Sequence, residues 1–167
     1  MKSDLTLMQA ALMRALEDLH SRIAQAILAL DAQALDWRPA PGVNSVHELV
    51  LQAAAEEQRW MAECVLANLV PGTATDATTA ADCTREAGSA VPLSDHPLHH
   101  LGCAGQISQT ILAALAPALW TEAHEVDGRE VTVVGCVLRV LDKLALTLGQ
   151  IEVVAQWWRA GTEEREA

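Results

Sequence analysis

The sequence predicts an all-α fold. Alanine and leucine dominate a chain of 167 residues that is 51% hydrophobic, and both residues favour helices over strands. Four long segments repeat apolar residues at the three- and four-residue spacing of an amphipathic helix. Phe and Tyr are absent, so aromatic packing rests on Trp37, Trp60, Trp120, Trp157 and Trp158. The length suits one domain with a sizeable core. That domain is expected over residues 1–161, with 162–167 as a flexible tail.

Ser3 is expected to cap a first helix of about seven or eight turns. Its apolar stripe is Leu5, Leu12, Leu16, Leu19, Ile23, Ile27 and Leu30. The turn-rich run Asp36-Trp37-Arg38-Pro39-Ala40-Pro41-Gly42 ends it. Ser45-Val46-His47-Glu48 is a capping-box pattern, in which hydroxyl and carboxylate serve the free amides of a first turn. The second helix is expected from there to about Leu69. Its buried side is Val46, Leu49, Val50, Ala53, Trp60, Met61, Cys64 and Val65, and Pro71-Gly72 stops it. Residues 71–93, rich in Thr, Ala, Gly and Asp, form a long connection of the kind that crosses a domain or carries function. Ser94 or Asp95 is expected to cap a third helix reaching about Ala116, where Pro117 intervenes. His124 to Val131 reads as a short β-hairpin around Asp127-Gly128. The last helix is expected from Thr132 to Ala160, with Gly161 as its stop.

A formal charge of −11 argues against a nucleic-acid partner. No basic run suggests binding to an anionic membrane, and no apolar run is long enough to span one. The opening Met1-Lys2 leads into alternating polar and apolar residues, unlike a signal peptide. Cys64, Cys83, Cys103 and Cys136 form no Cys-x-x-Cys pair. They read as reduced thiols of a cytoplasmic protein, with Cys83 the most exposed.

The late-helix run Lys143-Leu-Ala-Leu-Thr147-Leu-Gly149-Gln150-Ile151 resembles the closing helix of the DinB-like, or YfiT-like, family of putative metalloenzymes. There a His-x-x-x-His-x-Gly-Gln-Ile pattern supplies two metal ligands. Leu35 to Val46 is similar to the family's approach to its second helix, with a Trp-x-Pro, a Pro-Gly and a capping Ser. Gln52 to Trp60 resembles the family's His-x-x-x-x-Glu-x-x-Trp, with Glu57 and Trp60 on matching positions. The resemblance covers nearly the whole chain in order. It implies a four-helix bundle with a long crossover between helices 2 and 3, and a short hairpin before helix 4. It also implies a divalent metal on three histidines, a site used by thiol-dependent transferases among its members. In this chain the three ligand positions are Gln52, Lys143 and Thr147. A charged lysine has no lone pair to give, and neutral oxygens alone hold a transition metal poorly. The expectation is a metal site lost as a unit, leaving a pocket bordered by Glu48, Glu56, Glu57, Cys136 and Gln150.

Lys143 shares a mostly apolar stripe with Cys136, Val140, Thr147, Ile151 and Val154. It is expected either to pair with Glu48 or Glu56 or to reach water at the helix edge; binding an anion or acting as a base is a further option. His96 and His100 are four residues apart, the spacing of a metal pair, and with a carboxylate would make a relocated site. The plainer alternative is a solvated helix start. Glu56, Glu57 and the acidic tail read as solvated charge, His47 as exposed, and His20 as a residue at the core margin. Leu146, Val153 and Trp157 form an apolar outer stripe, which points to a homodimer or to cover by the 71–93 loop. Two functions follow. One is a non-enzyme, without cofactor, that binds a small molecule or a partner in the old pocket. The alternative is a thiol-dependent transferase using a relocated metal or Lys143.

Overall fold

The computed structural model describes residues 2–66, 96–126 and 128–166. The protein is mostly helical, with a two-stranded antiparallel hairpin. The α-helices are α1 (Lys2–Leu28), α2 (Ala32–Asp36), α3 (Val46–Gln58), α4 (Pro97–Ala114) and α5 (Val133–Glu166).

Helix α1 begins at Lys2, so Ser3 lies inside it and not at its cap; local chemistry explains where the others begin. The first helix stops at Leu28, short of the expected Leu30, because Asp31 starts a new one: its carboxylate accepts the Ala34 amide at 2.8 Å. The expected capping box forms in both halves at α3. Ser45 Oγ accepts the Glu48 amide at 3.3 Å, and Glu48 Oε2 accepts the Ser45 amide at 3.0 Å. Beyond Gln58 the winding loosens to a π-helix, Arg59–Leu66, which the sequence reading takes as continuous α-helix. The expected end at Leu69, the 71–93 connection, Cys83 and the Cys64 side chain lie outside the described residues. So do Ser94 and Asp95; the cap of α4 is His96, whose Nδ1 accepts the Leu98 amide at 3.3 Å, with Pro97 in the first helical position.

Helix α4 ends at Ala114, and Pro117 opens a 3-10 turn, Pro117–Thr121, that buries Trp120. The hairpin pairs β1 (Ala123–Val126) with β2 (Arg129–Thr132), and Val126 lies opposite Arg129. The two-residue turn this leaves needs the positive φ of Gly128, +72°. Thr132, the expected first residue of the last helix, stands just before α5 and caps it, its Oγ1 accepting the Gly135 amide at 3.0 Å. The expected stop at Gly161 does not occur: α5 continues to Glu166, and Thr162 Oγ1 donates to the carbonyls of Arg159 and Trp158 at 2.7 and 3.2 Å.

The long helices share one core. Leu16, Ile23 and Ile27 meet Val46, Val50, Leu101, Leu112, Leu144 and Ile151, all buried. Helix α1 packs on α4 and α5, and α3 packs on the same two. Gln9 Nε2 donates to the Leu112 carbonyl and Gln109 Nε2 to that of Met13, so α1 and α4 run antiparallel. The rings of Trp37 and Trp158 lie 5.6 Å apart, tying the approach to α3 onto the end of α5. No helix among the described residues is long and apolar enough to cross a membrane.

Candidate functional site

The positions that resemble the family's ligand set lie on α3 and α5. Gln52 is exposed, and its Oε1 accepts from Asn44 Nδ2 at 3.2 Å. Lys143 is half-buried, and among the described residues none of the ion pairs includes it. The expected pair with Glu48 or Glu56 is absent for two reasons. Glu48 is taken by the Arg38 guanidinium and by its own capping box, and Glu56 faces solvent. Lys143 therefore lies at the helix edge, where a long side chain can reach water. Thr147 is 1% exposed, and among the described residues its Oγ1 has no hydrogen-bond partner. An ammonium, an amide already engaged and a sealed hydroxyl do not fit a divalent metal, and among the described residues no group of three or more His, Cys, Asp or Glu is placed to hold one.

The unpartnered hydroxyl gives a direct prediction. Thr147→Val removes a buried polar atom while keeping the branched shape, and should stabilise the fold by about 1 kcal/mol. A higher urea midpoint with an unchanged slope is the expected result; a lower one would mean the hydroxyl has a partner worth keeping.

Beside these positions, a groove of about 620 Å³ runs along the seam of α3 and α5. Its size is in the range of small-molecule sites. One wall is Gly42 and Val43, from the turn Ala40-Pro41-Gly42-Val43 that the Val43 amide closes by donating to the Ala40 carbonyl at 3.1 Å. Proline in the second position and Gly42 at φ +82° in the third are what a type II turn requires. Asn44 follows, and Leu49 enters from α3. The opposite wall is the outer face of α5, with Leu146, Gly149, Gln150, Val153 and Trp157. Among the described residues, none that lines the groove is charged. Gln150, expected in the pocket, is in the groove; Lys143 and Thr147 are not, and Gln52 reaches it only through Asn44. Cys136 is buried in the core below the α5 surface. The expected outer stripe is there, with Leu146, Val153 and Trp157 at 58%, 43% and 54% exposure.

Glu57 is the largest correction. Read as solvated charge, it is 1% exposed at the meeting of three helices. Its Oε1 accepts from Ser108 Oγ at 2.6 Å and its Oε2 lies 2.7 Å from His20 Nε2. An ionised carboxylate only accepts, so opposite one the imidazole would present an Nε2–H. The three side chains do not make a nucleophilic triad. The serine donates to the carboxylate and not to the imidazole, and Ser108 is wholly buried. They are a polar tie between α1, α3 and α4. Its signal in the sequence is positional: Val46, Val50, Ala53, Glu57 and Met61 fall on one helical stripe, so Glu57 occupies a core position.

The remaining histidines are scattered. His96 spends Nδ1 on its cap, and His100 stands edge-on to His99 with ring centroids 5.9 Å apart. His47 is half-buried, not exposed as expected, with Nδ1 3.0 Å from Asp36 Oδ1. The relocated set of His96, His100 and a carboxylate is not assembled among the described residues. Comparison with protein-family models and with curated proteins finds no match to this chain.

Proposed function

We propose that this chain is a DinB-like four-helix bundle, with a crossover between its second and third long helices, that has lost the family's metal site. In this reading it is a cytoplasmic, cofactor-free binding protein that holds a small molecule and catalyses no reaction. The groove carries the reading. It is uncharged, of ligand size and edged by Asn44, whose amide is tied to Gln52 on one of the former ligand positions. Sites of this kind combine apolar walls with a few polar groups that set orientation, a role suited to Asn44 and Gln150. The residues at the ligand positions supply no imidazole or carboxylate, which supports binding over metal-assisted catalysis.

Titration of tag-free protein with Nile red tests this. Binding is expected, and Trp157→Ala should weaken it about tenfold by removing the largest apolar surface in the groove. Binding that ignores Trp157→Ala, or a zinc ion that survives dialysis in stoichiometric amount, would overturn the proposal.

The exposure of Leu146, Val153 and Trp157 on one helix face favours a second reading, a homodimer that buries the same stripe. Light scattering at micromolar concentration separates the two. A dimer that Trp157→Ala dissociates assigns the stripe to a second copy; a monomer leaves it to the ligand.

A further inference from the structure

We infer that the groove selects an uncharged apolar ligand, lying flat against α5 over Gly149. This rests on the binding function proposed above and adds the chemical class of the ligand.

Gly149 carries the inference. It sits in the interior of a long helix, where glycine is a poor choice. A buried helical glycine normally makes room for a neighbour. Gly105 does so here: a Cβ on it would stand 2.3 Å from His20 Nδ1. At Gly149 a Cβ would meet nothing within 4 Å, so no part of the described structure needs its absence. What the missing side chain leaves open is the groove that Gly149 itself lines. Gly102 is equally unopposed but does not line this groove, so clearance alone does not define a site. At Gly149 clearance coincides with apolar walls and with the amides of Asn44 and Gln150.

The charge of the ligand follows from the lining. A charged group entering the groove would shed water and gain no opposite charge. An anion would also approach a chain of net charge −11. A cation has one attraction to set against this, the face of Trp157, and the test includes it.

The probe pair is N-phenyl-1-naphthylamine and its anionic relative 8-anilino-1-naphthalenesulfonate, which share an aromatic body and differ by the sulfonate. The neutral probe should bind at least about tenfold more tightly, and excess phenyltrimethylammonium should leave it bound. Gly149→Leu should abolish neutral-probe binding while raising Tm by about 2 to 4 °C, because leucine is the better helix former and has space to enter. Loss of binding with gain of stability separates a filled site from a damaged fold.

Three outcomes overturn the inference: Gly149→Leu binding as wild type does, the sulfonate binding as tightly as the neutral probe, or displacement by the ammonium ion. If Nile red still depends on Trp157 in any of these cases, the ligand class fails and the binding function stands. If Nile red does not bind, both fail.

Discussion

Gly105→Ala is expected to destabilise the protein by about 2 to 4 kcal/mol, although alanine is the better helix former. The new Cβ would lie 2.3 Å from His20 Nδ1 and 2.4 Å from Cε1, closer than any non-bonded contact allows. The imidazole has to leave. His20 has room to do so, since its side chain is 16% exposed, so the clash itself is relieved cheaply. The cost arises at Glu57, which is sealed from water and loses the N–H donor that the ring supplies at 2.7 Å. Leaving a buried carboxylate short of one donor costs about 3 kcal/mol or more, against a gain of about 1 kcal/mol from replacing glycine in a helix. Urea unfolding followed by tryptophan fluorescence measures the balance. His20→Ala supplies the control: in that background Gly105→Ala should be neutral or stabilising. Gly105→Ala raising the midpoint of the otherwise wild-type protein would show that the His20 contact does not constrain α4.

What the sequence reveals and what it hides divide along one physical line. Features whose partners are a few residues apart are legible. The Ser45–Glu48 capping box, the Thr132 cap and the hairpin around residues 127–128 all form where their residue types predict. Features decided by distant partners are not. Glu57 sits beside Glu56 and reads as surface charge until His20, 37 residues away, and Ser108, 51 residues away, are brought to it. Lys143 reads equally as half of an ion pair or as a lysine reaching water until Arg38 is seen to occupy Glu48. The groove joins both kinds. The apolar stripe of Leu146, Val153 and Trp157 is legible from helical spacing. That the turn before α3 makes a second wall for it depends on how α3 packs on α5. Gly161 shows the limit of a local rule: glycine marks a helix stop only where the backbone turns, and here Thr162 keeps the last carbonyls bonded and the helix runs on.

Removing Glu57 tests whether the buried polar tie holds three helices or merely fills space between them. Glu57→Ala should cost about 3 to 5 kcal/mol, because His20 and Ser108 lose their shared acceptor and a cavity opens between α1, α3 and α4. Glu57→Gln keeps the volume and the acceptor for Ser108, but presents an amide N–H₂ to the His20 nitrogen that was donating. The imidazole answers by moving its proton to the other nitrogen, so the cost falls to about 1 to 2 kcal/mol. Ser108→Ala combined with Glu57→Ala should give a coupling of about 1.5 to 3 kcal/mol, the worth of a hydrogen bond to a charged group. The informative variant is the apolar replacement of all three, His20→Leu, Glu57→Leu and Ser108→Ala. A buried charged network can be replaced by well-packed hydrophobic side chains at little or no cost, even where removing one member is severe. The triple variant should therefore be more stable than Glu57→Ala, because leucine refills the cavity and no donor is left without an acceptor. Glu57→Ala within about 0.5 kcal/mol of wild type would overturn the tie, since a change that small is what a solvated surface residue gives. A triple variant as unstable as Glu57→Ala would show that apolar packing does not replace the tie at this site.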